Sequence, residues 1–423
     1  MATARELLEQ VFREQYGRII SSLIRRSGSF ELAEESLQDA FSTAIAKWER
    51  DGLPQNPAAW LTTVAHRKLI DTQRREKTRT DKQSDLEYEL QRLHEENAEA
   101  SEIDAHFPDE RLRLIFTCCH PSLNREAQVA LTLRTLGRLS TPEIARAFLV
   151  PEPTLAQRLV RAKSKIRLAG IPYETPPVDV LPARLVSVRA VIYLIFNEGY
   201  SATSGELLIR KDLCEEAIRL GRMICELAPG DAENSGLLAL MLLQNSRRSA
   251  RIDGDGALVT LEEQDRSRWD KASIDEGLGL LDSALRAGRV GVYQLQAAIA
   301  AVHAEAKTAS DTDWAQISAL YVELLRVSPS PVVALNHAVS IAMSEGLERG
   351  LELIEAAGAS GNLNNYYLFH SSRADLLRRL KRFDEAAVSY SRAFDLTENR
   401  VEQDYVRRRL REIGESEGVR GQG

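Results

Sequence analysis

The sequence predicts an all-α protein, and three observations carry that prediction. Across 423 residues there are only 14 Pro and 24 Gly, against an abundance of Ala, Leu, Arg and Glu, the residues most at home in helices. Apolar residues recur at intervals of three and four, and no segment alternates β-branched and polar residues as a strand does. With 43% hydrophobic residues the chain can form two or three domains, each burying its own core. A disordered or fibrous chain is excluded.

The first clear element runs from Glu31 to Trp48, where Ala33, Leu37, Ala40, Phe41, Ala44, Ile45 and Trp48 form one apolar stripe. Asp51 to Pro57 breaks the chain, and Asn56-Pro57 caps a second helix from Ala58 to about Thr80 with Pro in its first turn. That helix ends in a basic run of Arg67, Lys68, Arg74, Arg75, Lys77 and Arg79. Residues 81–110 are acidic and lack an apolar face, so they read as a tether, at most about 100 Å when fully extended. Apolar helices resume near Asp109. Four prolines between Gly170 and Pro182 mark a second boundary, because no regular element tolerates that density.

The formal net charge of −7 is unevenly spread: +2 over residues 1–80, −9 over 81–110, +8 over 111–170 and −8 over 171–423. A compact +8 segment inside an acidic protein is the footprint of a nucleic-acid-binding module, because phosphates are neutralised by clustered cations. The motif within it agrees. Thr141 and Pro142 open a short helix, and the turn from Leu149 to Pro153 leads into a second helix beginning at Thr154. There Leu155, Leu159, Ala162 and Ile166 form an inner face, leaving Gln157, Arg158, Arg161 and Lys165 outward, and Thr154 at the helix start is a further candidate for DNA contact. This is a helix-turn-helix whose second helix presents cations to a major groove and its phosphates.

These residues resemble the −35-reading module of bacterial extracytoplasmic-function sigma factors, of the sigma-70 family. The front half fits the same family. Leu32 to Phe41, with Gln38, Asp39 and Phe41, is similar to the helix that grips the clamp of core RNA polymerase, and Ala59-Trp60-Leu61 through Ile70-Asp71 with Arg74-Arg75 is similar to the −10-element helix. The resemblance implies that the loop Asp51 to Pro57 receives a flipped non-template base and that His66, Arg67, Arg74 and Arg75 hold phosphates of promoter DNA. Trp60 reads either as a core residue or as a stacking platform. Arg67 stands where such factors often carry Asn, so the −10 base preference does not transfer.

Beyond Pro182 the chain repeats at the spacing of tetratricopeptide units, each a helix pair of about 34 residues. Phe383, Ala386, Tyr390 and Ala393 fit, as do Leu347, Gly350, Ile354 and Ala357, and Ile274, Gly277, Leu281 and Ala284. Ala217 to Pro229 and Trp314 to Pro329 end in the closing Pro, and an insertion is expected around Arg251 to Thr260. The full reading is a sigma region 2 over 1–80, an acidic linker over 81–108, a sigma region 4 over 109–170 and a Pro-rich linker over 171–182. A tetratricopeptide-like extension follows over 183–413, with a disordered tail over 414–423. Its partners are core RNA polymerase, promoter DNA and a protein or peptide bound by the repeats.

No catalytic constellation, glycine-rich phosphate loop or metal motif is present, so neither enzyme activity nor a cofactor is expected. Cys118, Cys119, Cys214 and Cys225 do not form a secreted disulfide framework, and Cys118-Cys119-His120 reads as packing thiols beside a histidine. Apolar runs such as Val186 to Phe196 are too short to span a bilayer, and the start lacks a signal-peptide pattern, so a cytoplasmic location with no membrane contact is expected. Asn197-Glu198-Gly199-Tyr200 with Ser201, Thr203 and Ser204 is polar amid helices and reads as either a ligand site or an interhelical turn. The competing functional readings are an ordinary helix-turn-helix regulator that senses a partner through its repeats, and a scaffold with no DNA role.

Overall fold

The computed structural model describes residues 4–78, 107–136, 139–148, 150–177, 179–288, 290–359 and 361–420. They form two compact units, the first built from residues 1–146 and 150–192 and the second mainly from 193–423. The acidic segment expected as a tether falls outside the described residues as far as 106.

In the first unit, α1 (Ala4–Ser27), α2 (Phe30–Asp51) and α3 (Pro57–Thr78) pack against one another. Ser29 caps α2 by accepting from the Leu32 amide at 3.3 Å, and Asn56 caps α3 by accepting from Ala59 at 3.1 Å. The apolar stripe of α2 is buried at Ala33, Leu37, Ala40, Ala44 and Trp48, while Ile45 is 49% exposed and lies off it. Ile45 follows Ala44 by one residue, about 100° around the helix, which turns it outward.

The remaining helices of this unit are α4 (Phe107–Cys118), α5 (Arg125–Thr135), α6 (Thr141–Ala147) and α7 (Glu152–Leu168). The helix-turn-helix is shifted slightly from its expected bounds. Thr141 is already helical, the Ser140 carbonyl accepting from Ile144, and α7 begins two residues before Thr154 because Pro153 fits a first helical turn. Leu155, Leu159, Ala162 and Ile166 are buried, as their spacing requires. Helix α1 approaches α5 so closely that a side chain on Gly17 would sit 2.9 Å from the Thr135 carbonyl.

Helix α8 (Leu181–Tyr200) crosses the division between the units, which falls after Ile192. Its first turns belong to the first unit, where Arg184 donates to the Phe116 carbonyl at 2.5 Å and Arg125 to that of Ser187 at 3.3 Å.

The second unit is a sequential array of antiparallel helices: α9 (Lys211–Leu227), α10 (Ala232–Ser246), α11 (Lys271–Arg286), α12 (Val292–Glu305), α13 (Trp314–Val327), α14 (Pro331–Ser344), α15 (Leu347–Gly358), α16 (Tyr367–Arg379), α17 (Phe383–Leu396) and α18 (Arg400–Arg420). Glycines mark close crossings. A side chain on Gly277 would meet Leu243 at 2.9 Å, and one on Gly350 would meet the Ala342 backbone at 2.6 Å. Each helix buries a stripe against its neighbours in sequence, as with Ala386, Tyr390 and Ala393 on α17. The two ends of the array are joined: β1 (Ser204–Gly205) pairs in parallel with β2 (Glu398–Asn399). The fully buried Asn399 amide donates to the carbonyls of Ala202 at 3.0 Å and Leu207 at 2.9 Å. Helix α18 continues to Arg420, where a disordered tail from 414 was expected; extending an anchored helix avoids the nucleation cost that a free segment must meet.

Candidate nucleic-acid and polymerase interface

On α7, Thr154, Gln157, Arg161 and Lys165 are exposed on the side opposite the buried stripe, with Arg161 donating to the Gln157 amide oxygen at 3.5 Å. Arg158 is only 27% exposed and is ion-paired at 2.9 Å with Glu126 of α5. Val160 is 61% exposed on the same outward surface, an apolar residue amid cations and amides that the sequence reading passed over. Its place three residues after Gln157 was the available signal.

Helix α3 brings together the other expected cations unequally. Arg67 is exposed and Arg74 half-buried, while the Arg75 side chain lies outside the described residues, as does Arg79. His66 points inward, its Nε2 3.2 Å from the Ser22 hydroxyl, so it is not on the exposed cationic face. Trp60 is half-buried and meets Trp48 edge-on at 5.5 Å, which ties it to the core of the three helices. In the loop before α3, Gly52 adopts φ 86°, and Arg50 binds Asp51 through both carboxylate oxygens, which holds that carboxyl below its usual range.

On α2, Gln38 and Asp39 are exposed, while Phe41 is half-buried. The same helix carries an arrangement that sequence reasoning missed. Lys163, on the inner edge of α7, is ion-paired with Glu34, and Arg167 with Glu31 at 2.5 Å. Tyr16 donates to Glu34 at 3.3 Å and lies beneath the Arg134 guanidinium, 4.6 Å from the ring centroid. Burial raises its hydroxyl pKa far above the usual range. The pairs join residues 129 and 136 positions apart, beyond any local pattern.

The thiols of Cys118 and Cys119 are buried against Thr135 and Thr132 at 3.1 and 3.5 Å. Burial pushes Cys119 up to about 11 and Cys118 further, so both are packing thiols rather than thiolates. No group of three or more His, Cys, Asp or Glu suited to a metal occurs among the described residues, and no described helix is long and apolar enough to cross a membrane.

Residues 11–79 match the sigma-70 region 2 family and residues 113–166 match sigma-70, region 4, the segments that hold α2–α3 and the helix-turn-helix. The chain belongs to the extracytoplasmic-function sigma factors. Residues 184–285 of this sigma factor match a family of unknown function, DUF6596. An uncharacterized protein of Rhizobium meliloti (strain 1021) is 44% identical over 397 residues, covering 92% of each chain. The similarity therefore runs through most of the extension as well as the two sigma regions. As a sigma factor the protein acts in transcription initiation and binds core RNA polymerase and promoter DNA.

Proposed function

We propose that this sigma factor reads the −35 element with Thr154, Gln157, Arg158, Arg161 and Lys165, holds −10 DNA with Arg67, Arg74 and Arg75, and grips the polymerase clamp with Gln38, Asp39 and Phe41. The observation that carries the reading is the outward face of α7, where amide, hydroxyl and cationic side chains share one exposed side of the helix. Its partner half-site, α3, carries the exposed Arg67. The acidic segment over 81–108 is the linker that joins the two DNA modules in sequence, and the protein works in the cytoplasm, where polymerase and DNA are.

The extension is a regulatory, tetratricopeptide-like array. The glycine crossings at Gly277 and Gly350 and the buried stripe of α17 support that reading, since each helix pair buries its face only against the next pair. Co-elution of the full chain with bacterial core RNA polymerase, followed by run-off transcription with and without residues 193–423, tests both parts. Loss of co-elution would overturn the sigma reading, and equal transcription from both chains would overturn a regulatory extension.

A further inference from the structure

Tyr200, at the end of α8, is held by two guanidinium groups. Arg247 donates from Nε to the Tyr200 hydroxyl at 2.8 Å, and Arg251 donates to the Tyr200 carbonyl while its guanidinium lies 4.0 Å from the ring centroid. Phe196 stacks on the same ring at 5.6 Å. A third arginine, Arg266, lies over Trp269 and donates to the carbonyls of His303 and Ala306 and to the Thr312 hydroxyl. The charges of Arg247 and Arg266 both bear on His303, and that of Arg247 on Arg266, which links Arg266 to the Tyr200 cluster through Arg247.

Among the described residues none of Arg247, Arg251 and Arg266 has a carboxylate at ion-pairing distance. Asp311 acts on Arg266, and Glu402 on Arg251, only at longer range. Comparable half-buried arginines of the same unit are paired, Arg219 with Glu216, Arg379 with Asp375 and Arg409 with Glu263. A guanidinium partly withdrawn from water is ordinarily matched by an anion. Three guanidinium groups whose nearest carboxylates, Asp311 and Glu402, stay beyond ion-pairing distance form an electropositive site in a segment of net charge −8.

We propose that Arg247 and Arg251, presented on Tyr200 and backed by Arg266, bind a carboxylate-bearing ligand. The planar guanidinium fork suits a carboxylate, and the half-buried ring of Tyr200 supplies an apolar flank. The polar turn after Asn197 does not itself take the ligand: Glu198 is used internally, accepting from the Thr203 hydroxyl at 3.1 Å. The turn's part is to present Tyr200. The site stands apart from the transcriptional reading, because binding is measured without polymerase or DNA.

The test is calorimetric titration of the full chain with citrate and, separately, with a hexaglutamate peptide blocked at both ends. One of the two is expected to bind, with Arg247→Gln plus Arg251→Gln weakening it at least about tenfold and Arg158→Gln plus Arg161→Gln on α7 leaving it unchanged. Tighter binding of citrate assigns a free small carboxylate, and tighter binding of the peptide an acidic segment of a partner protein. If the glutamine pair fails to fold, Arg247→Lys plus Arg251→Lys keeps the charges, removes the fork and is expected to show the same loss. Binding of neither probe at millimolar concentration, or binding abolished by the α7 variant and kept by the Arg247 and Arg251 variants, overturns the proposal.

Discussion

Lys163 of α7 forms an ion pair with Glu34 of α2, and both side chains are largely shielded, at 11% and 23% exposure. Glu34 also accepts from Tyr16, so one carboxylate serves two helices. Glu34→Gln keeps the shape and removes the charge, leaving Lys163 without its counter-ion. It is expected to destabilise the first unit by about 1–3 kcal/mol, with Lys163→Gln close behind. Urea denaturation followed by circular dichroism measures this, and no shift in either midpoint would show that the pair contributes nothing.

The two arginines of α7 should differ in DNA binding. Arg161 is exposed, whereas Arg158 must exchange Glu126 for DNA and so gains less on binding. Arg161→Ala is expected to weaken binding to cognate −35 DNA by about 1–3 kcal/mol, with a smaller loss for Arg158→Ala. Anisotropy titrations at several salt concentrations separate them, and a larger loss for Arg158 would contradict the order.

Gln38 and Asp39 lie on α2 away from its buried stripe. Changing both to Ala is expected to abolish co-elution with core polymerase while leaving the thermal midpoint within about 2 °C, since neither side chain is in the core. Retained binding with native circular dichroism would move the contact to another face.

Much of this was legible in the sequence because it is local. The α2 stripe, the Asn56 cap and the buried face of α7 follow from intervals of three and four residues. What was not legible joins distant positions. Glu34 with Lys163, and Asn399 with Ala202, depend on which helices come to lie side by side, and no local pattern encodes that. Arg247 and Arg251 look like ordinary surface cations in the sequence; only the packing of Tyr200 between them sets them apart.

His303 gives the second unit a pH dependence. Burial, with the charges of Arg247 and Arg266 beside it, pushes its pKa down to about 3, and Trp314 covers the ring edge-on at 5.2 Å. The native imidazole stays neutral while the unfolded one gains a proton below about pH 6.5. The folded state therefore loses stability as pH falls from 6.5 towards 3, by up to about 1.4 kcal/mol per unit, and nothing is lost above 6.5. The buried carboxyls of Glu198 and Glu402, raised by burial, act in the opposite sense, so the comparison is with His303→Gln. Wild type is expected to lose about 2 kcal/mol relative to the variant between pH 6.5 and 5. Parallel stability curves would mean that the histidine is protonated in the native protein.

Asn399 carries the closure of the array. It is fully buried, donates to two carbonyls on the first turn of the unit, and accepts at its side-chain oxygen from the Val401 amide at 3.0 Å. Alanine there leaves the Ala202 and Leu207 carbonyls short of a donor in the interior, and each such loss costs about 1–3 kcal/mol. The nearby exposed pair of Arg400 and Glu206, at 2.8 Å, is too solvated to compensate. Asn399→Ala is therefore expected to lower the thermal midpoint of the extension by about 5–10 °C, and Arg400→Ala by no more than about 2 °C. Hydrogen exchange locates the effect: the amides of residues 201–208 and 397–402 should lose protection together, because β1 and β2 pair only with each other. Lost protection at one end alone would mean that the two ends of the array are stabilised independently.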